Sequence, residues 1–481
     1  MITLEKNNFL YQKIADNFEN QILTEILKSG DKLPSVRVIC KQYGVSLSTA
    51  LQAYYFLESK NLIQARPNSG YYVNYSSRRF STSDKSTQPS LNIDDNLADK
   101  LISRVFQEIA RHDETVMFSL GVPSTDLLPV AKLNKAMVAA LRELPASGTR
   151  YEHIQGNIKL RKQIAHWAYT WNGKFTESDV ITTAGCINAI SFCLSSLAKP
   201  GDTIAVESPC YFGVLQLAKS LGLRIMEIPT HLQNGIEIDE LKKAIESKKI
   251  NICLLVSNFS NPLGSCIPTE NKKEIVKLLE INNIPLIEDD LYGDMYFGKQ
   301  RPQTCKTFDE SGNVLLCSSV SKTLAPGYRV GWVIPGKYKD KVLNTKLYQT
   351  ISTTTLTQEV IANFMENGRY EHHLLKMRHA LFGNCLQLMR AVNEYFPENT
   401  RITKPSGGFM LWVELDEKIN TAALFEQALK QKVSIAPGRV FTTQDLYNNC
   451  LRLNYSWIWN DKIEQAIKTL GAIIHKMLKQ S

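Results

Sequence analysis

The 481-residue chain lacks the features that mark several large protein classes. Ten cysteines lie singly between Cys40 and Cys450, with no Cys-x-x-Cys pair and no clustering with His, so neither a zinc site nor a disulfide scaffold is expected, and no metal site at all. Reduced thiols are the default. Long hydrophobic runs are also missing. The longest uncharged stretch, residues 180–198, carries Thr182, Thr183, Gly185, Asn188, Ser191, Ser195 and Ser196, which suits a buried loop and helix better than a membrane span. The opening MITLEKNNFLYQK has neither the basic start nor the continuous apolar stretch of a signal peptide, so a cytoplasmic protein without membrane association is expected. With 43% hydrophobic and 21% charged residues, disorder of the whole chain is excluded. The net charge of +9 is modest for this length and decides nothing alone.

What is present divides the chain. Residues 76–97 are rich in Ser, Thr, Asp and Asn with little apolar periodicity, the composition of a linker. They separate residues 1–75 from residues 98–481. In the first part, Leu10, Ile14, Phe18, Ile22 and Ile26 recur every four residues, which predicts a helix with one apolar stripe that ends by Gly30 and Asp31. Ser35, after Pro34, caps a second helix whose Val36, Ile39 and Cys40 face inward, and Gly44 stops it. A third starts at Ser46 or Ser48 and carries Ala50, Leu51, Ala53, Tyr54 and Leu57. Residues 62–65 and 71–73 flank a Pro-Asn-Ser-Gly turn and read as a hairpin. Three helices and a hairpin are the layout of a winged helix-turn-helix. Through Arg79 this segment holds ten basic and six acidic residues, so about half of the charge excess lies in a sixth of the chain. Such a surplus also fits a merely solvated face.

In the second part, apolar runs of strand length (179–183, 203–206, 252–256, 284–287, 314–317 and 329–334) alternate with amphipathic stretches, which predicts an α/β domain with a largely parallel sheet. Ligands bind at the ends of such strands. Four strand ends carry suggestive chemistry. Thr183-Ala184-Gly185-Cys186-Ile187-Asn188 offers free backbone N–H groups at a helix start, which suit a phosphate, or only a tight turn. Glu288-Asp289-Asp290-Leu291-Tyr292 follows a buried strand; its carboxylates need cationic or hydrogen-bonding partners unless the turn is exposed. In Ser318-Ser319-Val320-Ser321-Lys322, an enclosed lysine can be neutral and condense with an aldehyde, while Ser319, Ser321 and Arg329 can hold a phosphate. Finally, Asn261 in Asn261-Pro262 could bond a phenolate oxygen or simply shape a turn.

The N-terminal segment, through GDKLPSVR, GVS, LESKNLI and the wing ending in SGYYV, resembles the GntR-family DNA-binding domain. The resemblance implies DNA contacts by Arg37, Ser46, Ser48, Thr49 and Gly70 on a double-stranded operator. Leu47 stands where many members place an Arg after GVS, which removes that base or phosphate contact and leaves room for an apolar contact to a thymine methyl there. Residues 98–481 resemble fold type I, class I/II aminotransferases that bind pyridoxal 5'-phosphate, and the whole chain resembles the MocR subgroup of GntR regulators. The implied fold is α/β, with a large parallel-sheet domain and a smaller C-terminal α+β domain.

The same resemblance implies roles. Lys322 would bind the cofactor covalently as a Schiff base, Asp289 would hold its ring nitrogen, Asn261 and Tyr292 its 3'-oxygen, and Tyr211 would stack on the ring. The phosphate would lie on Gly185, Cys186, Ile187, Ser319, Ser321 and Arg329, with Tyr151 reaching it from the partner subunit of a homodimer. Arg452, in Leu451-Arg452-Leu453, would grip a substrate α-carboxylate through a bidentate pair, its plainer reading being a surface salt bridge. Residues 407–409 and 437–439 would be substrate-side loops. Two functions are compatible with this set. One is a transcriptional regulator that senses pyridoxal phosphate or a small amino compound. The other is a cytosolic aminotransferase acting on an amino acid with 2-oxoglutarate.

Overall fold

The computed structural model describes residues 10–24, 26–28, 30–60, 62–66, 69–74, 99–104, 115–247, 249–366 and 368–480; the expected linker, 76–97, lies outside the described residues. The N-terminal helices are Leu10–Leu23, Val36–Tyr43 and Leu47–Ser59, followed by the antiparallel hairpin Ile63–Arg66 and Gly70–Val73. The first helix is shorter than its apolar period predicts. Ile14, Phe18 and Ile22 are buried, but Ile26 lies past the helix end and is 70% exposed. Ser35 caps the second helix by accepting from the Val38 N–H, and Gly44 ends it with φ 63°, a conformation that favours glycine. Ser46, rather than Ser48, caps the third by accepting from the Thr49 N–H. Tyr54 anchors the core: its hydroxyl donates to Pro34 O at 2.6 Å and its ring meets Phe18 edge-on.

The large domain is built on an eight-stranded sheet, in the order Ile181–Thr183, Gly331–Ile334, Val314–Ser319, Leu286–Asp289, Ile252–Leu255, Thr203–Ser208, Arg224–His231, Gly235–Ile236. The five strands from Val314–Ser319 through Arg224–His231 are mutually parallel, whereas Gly331–Ile334 is antiparallel to both of its neighbours and Gly235–Ile236 to its one. The inner strands are buried at every position, which is why they read as continuous apolar runs. Arg224–His231 escapes that pattern. It lies towards the sheet edge, only partly buried, and its Arg, Glu, Pro and His interrupt any apolar run.

A second, antiparallel sheet joins Arg401–Ile402, Met410–Glu414, Cys450–Asn454 and Ala436–Pro437. Its core is shared with the helices Arg369–Tyr395, Thr421–Lys430 and Asp461–Gln480. The 27-residue helix Arg369–Tyr395 also faces the N-terminal domain. Leu386 is buried within that domain's core, Phe382 packs beside it, and His379 meets the Phe56 ring edge-on. Among the described residues, no helix is long and apolar enough to cross a membrane.

Candidate functional site

The strand ends converge on one pocket. It is lined by Cys186, Ile187, Tyr211, Asn261, Asp289, Tyr292, Ser319, Ser321, Lys322, Arg329 and Arg452, together with residues 119–122.

At one end lies an anion cup. Gly185 precedes the helix Cys186–Leu197 with φ 96°, and a Cβ there would come within 2.3 Å of Arg329 Nη2, so backbone and guanidinium can approach only because the residue is glycine. Arg329 Nη2 donates to Ala184 O at 2.9 Å, and Nη1 lies 3.4 Å from Ser321 Oγ. Ser319 accepts from the Ser321 N–H at 3.2 Å, which shapes the single turn that carries Lys322. A helix N-terminus, two hydroxyls and a guanidinium thus meet where a phosphate dianion fits.

The acidic run Glu288-Asp289-Asp290 is wholly buried, not an exposed turn. Its three members differ in their partners. Glu288 accepts from Ser257 Oγ and from the N–H groups of Cys305 and Lys306 at 2.6 and 2.8 Å. Asp290 pairs with Arg301 and accepts from Asn258 Nδ2 at 2.8 Å, while Lys272 Nζ donates to the other end of that amide at 2.6 Å. Asn258, three residues before Asn261, is therefore committed to this network. Among the described residues, the Asp289 carboxylate has only the Leu291 N–H, at 3.0 Å, and the Cys186 thiol, at 3.3 Å, both directed at Oδ1. Burial raises its pKa to about 6, against the downward pull of those two donors and of Lys322.

Lys322 Nζ donates to Gly121 O. Burial, then the guanidiniums of Arg452 and Arg329, lower its pKa to about 8, with Asp289 opposing. A substantial neutral fraction near pH 8 makes this amine a nucleophile. Asn261 Nδ2 lies 3.4 Å from the Tyr292 hydroxyl, and Asn261 Oδ1 accepts from Arg452 Nη1 at 2.8 Å. Arg452 is no surface salt bridge. It is 1% exposed on the strand Cys450–Asn454, Nη2 donates to Ser119 O, its charge lies over the Phe441 ring, and Nε has no hydrogen-bond partner among the described residues. Burial depresses its pKa to about 10. A buried guanidinium without a carboxylate partner can accept a ligand carboxylate there.

Other expected residues lie apart. Tyr151 is 84% exposed and lines a separate surface hollow with residues 148–152 and 352–355. Residues 407–409 and 437–439 do not line the pocket: Phe409 packs on Tyr292, and Gly438 and Arg439 are buried in the small domain. Residues 119–122, which sequence reasoning passed over, take their place. A glycine directly after a short apolar segment, in Phe118-Ser119-Leu120-Gly121, is the one signal that marks them. In the N-terminal domain, Arg37, Ser46, Ser48 and Gly70 are exposed, Thr49 is partly buried, and Ser46 Oγ lies 2.8 Å from both Ser48 Oγ and Thr49 Oγ1. Leu47 is 55% exposed beside them, as an apolar contact requires.

Comparison with known proteins fits both halves. Residues 114–470 match the family of class I and II aminotransferases, and residues 10–73 match the gntR family of bacterial regulatory proteins. The uncharacterized HTH-type transcriptional regulator YjiR of Escherichia coli (strain K12) is 33% identical over 469 residues, covering 98% of this chain and 99% of the relative. The aromatic-amino-acid aminotransferase 1 of Thermococcus litoralis is 26% identical over 410 residues, covering 82% of this chain and 98% of its own. The crystal structure of LysN, the α-aminoadipate aminotransferase of Thermus thermophilus, complexed with N-(5'-phosphopyridoxyl)-L-leucine, superposes with a TM-score of 0.74 at 25% identity, covering 80% of this chain and 98% of that one.

Proposed function

The chain belongs to the aminotransferase class I and II family and carries a gntR-family domain at its N-terminus, and from that premise we propose that it is a DNA-binding transcriptional regulator whose pocket binds pyridoxal 5'-phosphate and senses that cofactor or a small amino compound. One observation carries the reading: a gntR-family domain and a pocket that brings Lys322, Asp289, Asn261, Tyr292, Ser321 and Arg329 together lie in one chain. The residues fit the group. Gly185 and Arg329 form a cradle that a Cβ would fill, Asp289 has two donors on a single oxygen, and Lys322 is an amine of lowered basicity. Gly185, Cys186, Ile187, Ser319, Ser321 and Arg329 would hold the phosphate, Asp289 the ring nitrogen, Asn261 and Tyr292 the phenolic oxygen, and Lys322 the aldehyde carbon. Tyr211 would cover the ring. When bound, the cofactor supplies an electron sink for bonds to the amino-bearing carbon of a ligand.

Arg452 would take the ligand's carboxylate, with Asn261 fixing its orientation. Tyr151 would serve the pocket of a second copy, making a homodimer, which its near-complete exposure and that of Tyr348 support. Arg37, Ser46, Ser48, Thr49 and Gly70 would contact a double-stranded operator in the cytoplasm. The ligand can alter DNA binding only through a difference in affinity between two arrangements of the protein. Two experiments test the proposal. Selection from a random duplex pool should return a defined sequence, and added pyridoxal phosphate should give a visible absorption band that Lys322→Ala abolishes. A protein that enriches no sequence in any ligand state is not this regulator.

A second reading, a working aminotransferase, draws on the same intact polar set and on the likeness to the T. litoralis enzyme. Repeated transfer of an amino group to 2-oxoglutarate would support it; at most one turnover per site would count against it.

A further inference from the structure

The residue that opens the helix Cys186–Leu197 does two things at once. Its backbone N–H is the first of the helix, beside Gly185 and Arg329, while its thiol donates to Asp289. We propose that Cys186 is a positioning residue of the ring-nitrogen subsite: its thiol, with the Leu291 N–H, ties down one oxygen of Asp289 and leaves the other to face the pocket. This rests on the reading of the pocket as a pyridoxal phosphate site and assigns a role there to a side chain.

The geometry distinguishes the role from simple packing. Both donors reach Oδ1, at 3.3 Å from Cys186 Sγ and 3.0 Å from Leu291 N, and no other hydrogen bond to the Asp289 carboxylate exists among the described residues. A carboxylate held through one oxygen has its rotation about the Cβ–Cγ bond fixed, so Oδ2 is aimed without further contacts. The neighbouring acids are saturated by amides, hydroxyls or a guanidinium, so Asp289 depends on these two donors alone. Cys186 remains a donor because burial, reinforced by the charge of Asp289, keeps its sulfur protonated. The other titratable groups facing Asp289 include Lys322 on the turn after the next strand, Asp290 on its own segment, Glu207 on the strand Thr203–Ser208, Cys317 on the adjacent strand, and Cys210, Tyr211 and Tyr292 around the pocket. Glu207 is buried, and burial and the charge of Asp289 push its pKa well up. Cys186 therefore links the phosphate end of the pocket to the ring-nitrogen end through one residue.

The test compares wild type, Cys186→Ala and Cys186→Ser, titrated with pyridoxal phosphate across a pH series, with thermal unfolding of each cofactor-free protein as the folding control. Alanine removes the donor, and the expected result is a loss of cofactor affinity of several-fold, up to about tenfold for one weak donor to a charged acceptor. The removed donor had lowered the Asp289 pKa, so its loss raises that pKa, and the pH below which cofactor binding weakens, near 6 in wild type, should move upward. Serine keeps a donor and should bring both values back towards wild type. Alanine indistinguishable from wild type in both readouts, or serine as impaired as alanine, would overturn the assignment while leaving the pocket reading intact. A wild-type protein that takes up no pyridoxal phosphate would overturn both.

Discussion

The two recognition surfaces of this chain follow opposite electrostatic rules. On the N-terminal domain, Arg37, Ser46, Ser48 and Gly70 stand in water, where any contact to a nucleic acid would be individually weak and, for the arginine, screened by salt. In the pocket, Asp289 and Arg452 are almost fully buried with few partners, and burial displaces the pKa of both, and of Lys322 beside them. A surface of the first kind gains specificity by summing many small terms, so single substitutions erode it gradually. A pocket of the second kind concentrates its free energy in a few desolvated groups, so single substitutions empty it.

That contrast can be broken at either end. The largest effect is expected for Lys322→Ala, which should abolish the visible band on adding pyridoxal phosphate while operator affinity without ligand stays within about twofold of wild type by gel shift. Arg452→Ala should retain the band but lose its response to amino acids, with affinity falling by about 2–5 kcal/mol in a spectral titration, because a buried charge-assisted pair is removed. Arg37→Ala should weaken operator binding about ten- to hundredfold and leave the cofactor spectrum unchanged; a lower salt slope would identify its target as a phosphate. The pH profile sharpens the pocket side. Since the folded-state pKa of Lys322 lies below the ordinary lysine value, its reactive neutral fraction grows as pH rises, so cofactor uptake should accelerate up to about pH 8 and level off beyond it in stopped-flow absorbance. Ser46→Ala should cost about 1 kcal/mol in unfolding of the N-terminal domain by loss of the cap, and Ser48→Ala less.

The two regions also differ in how far the sequence discloses them. The N-terminal domain was legible almost to the residue, because caps, a helix-ending glycine and a hairpin turn are local signals; only the end of the first helix misled, since Ile26 continues the apolar period after the backbone has left the helix. The inner strands of the large sheet were legible because burial on both faces writes an apolar run, whereas Arg224–His231, near the edge, writes none. The pocket was legible at its strand ends, where Asp289, Lys322 and Arg452 stand among apolar neighbours. Residues 119–122 were not, since they reach the pocket through tertiary contacts with Arg452 and Lys322 rather than through any local pattern. The division of labour within Glu288-Asp289-Asp290 was equally hidden: it depends on Asn258 before the run and on Arg301 and Cys305 after it, which reach it through tertiary contacts and not through any local pattern.

The central claim is that the state of the pocket governs the DNA-binding surface. It is tested most directly by measuring the affinity for the selected operator with cofactor-free protein, with pyridoxal phosphate, and with pyridoxal phosphate plus an amino acid that alters its spectrum, in wild type and in Arg452→Ala. A coupling of about 1–3 kcal/mol, seen as a change of roughly five- to 150-fold in wild type and lost in the variant only for the amino acid, is the predicted result. Identical operator affinity in every state, with the spectra showing the pocket filled, would contradict it.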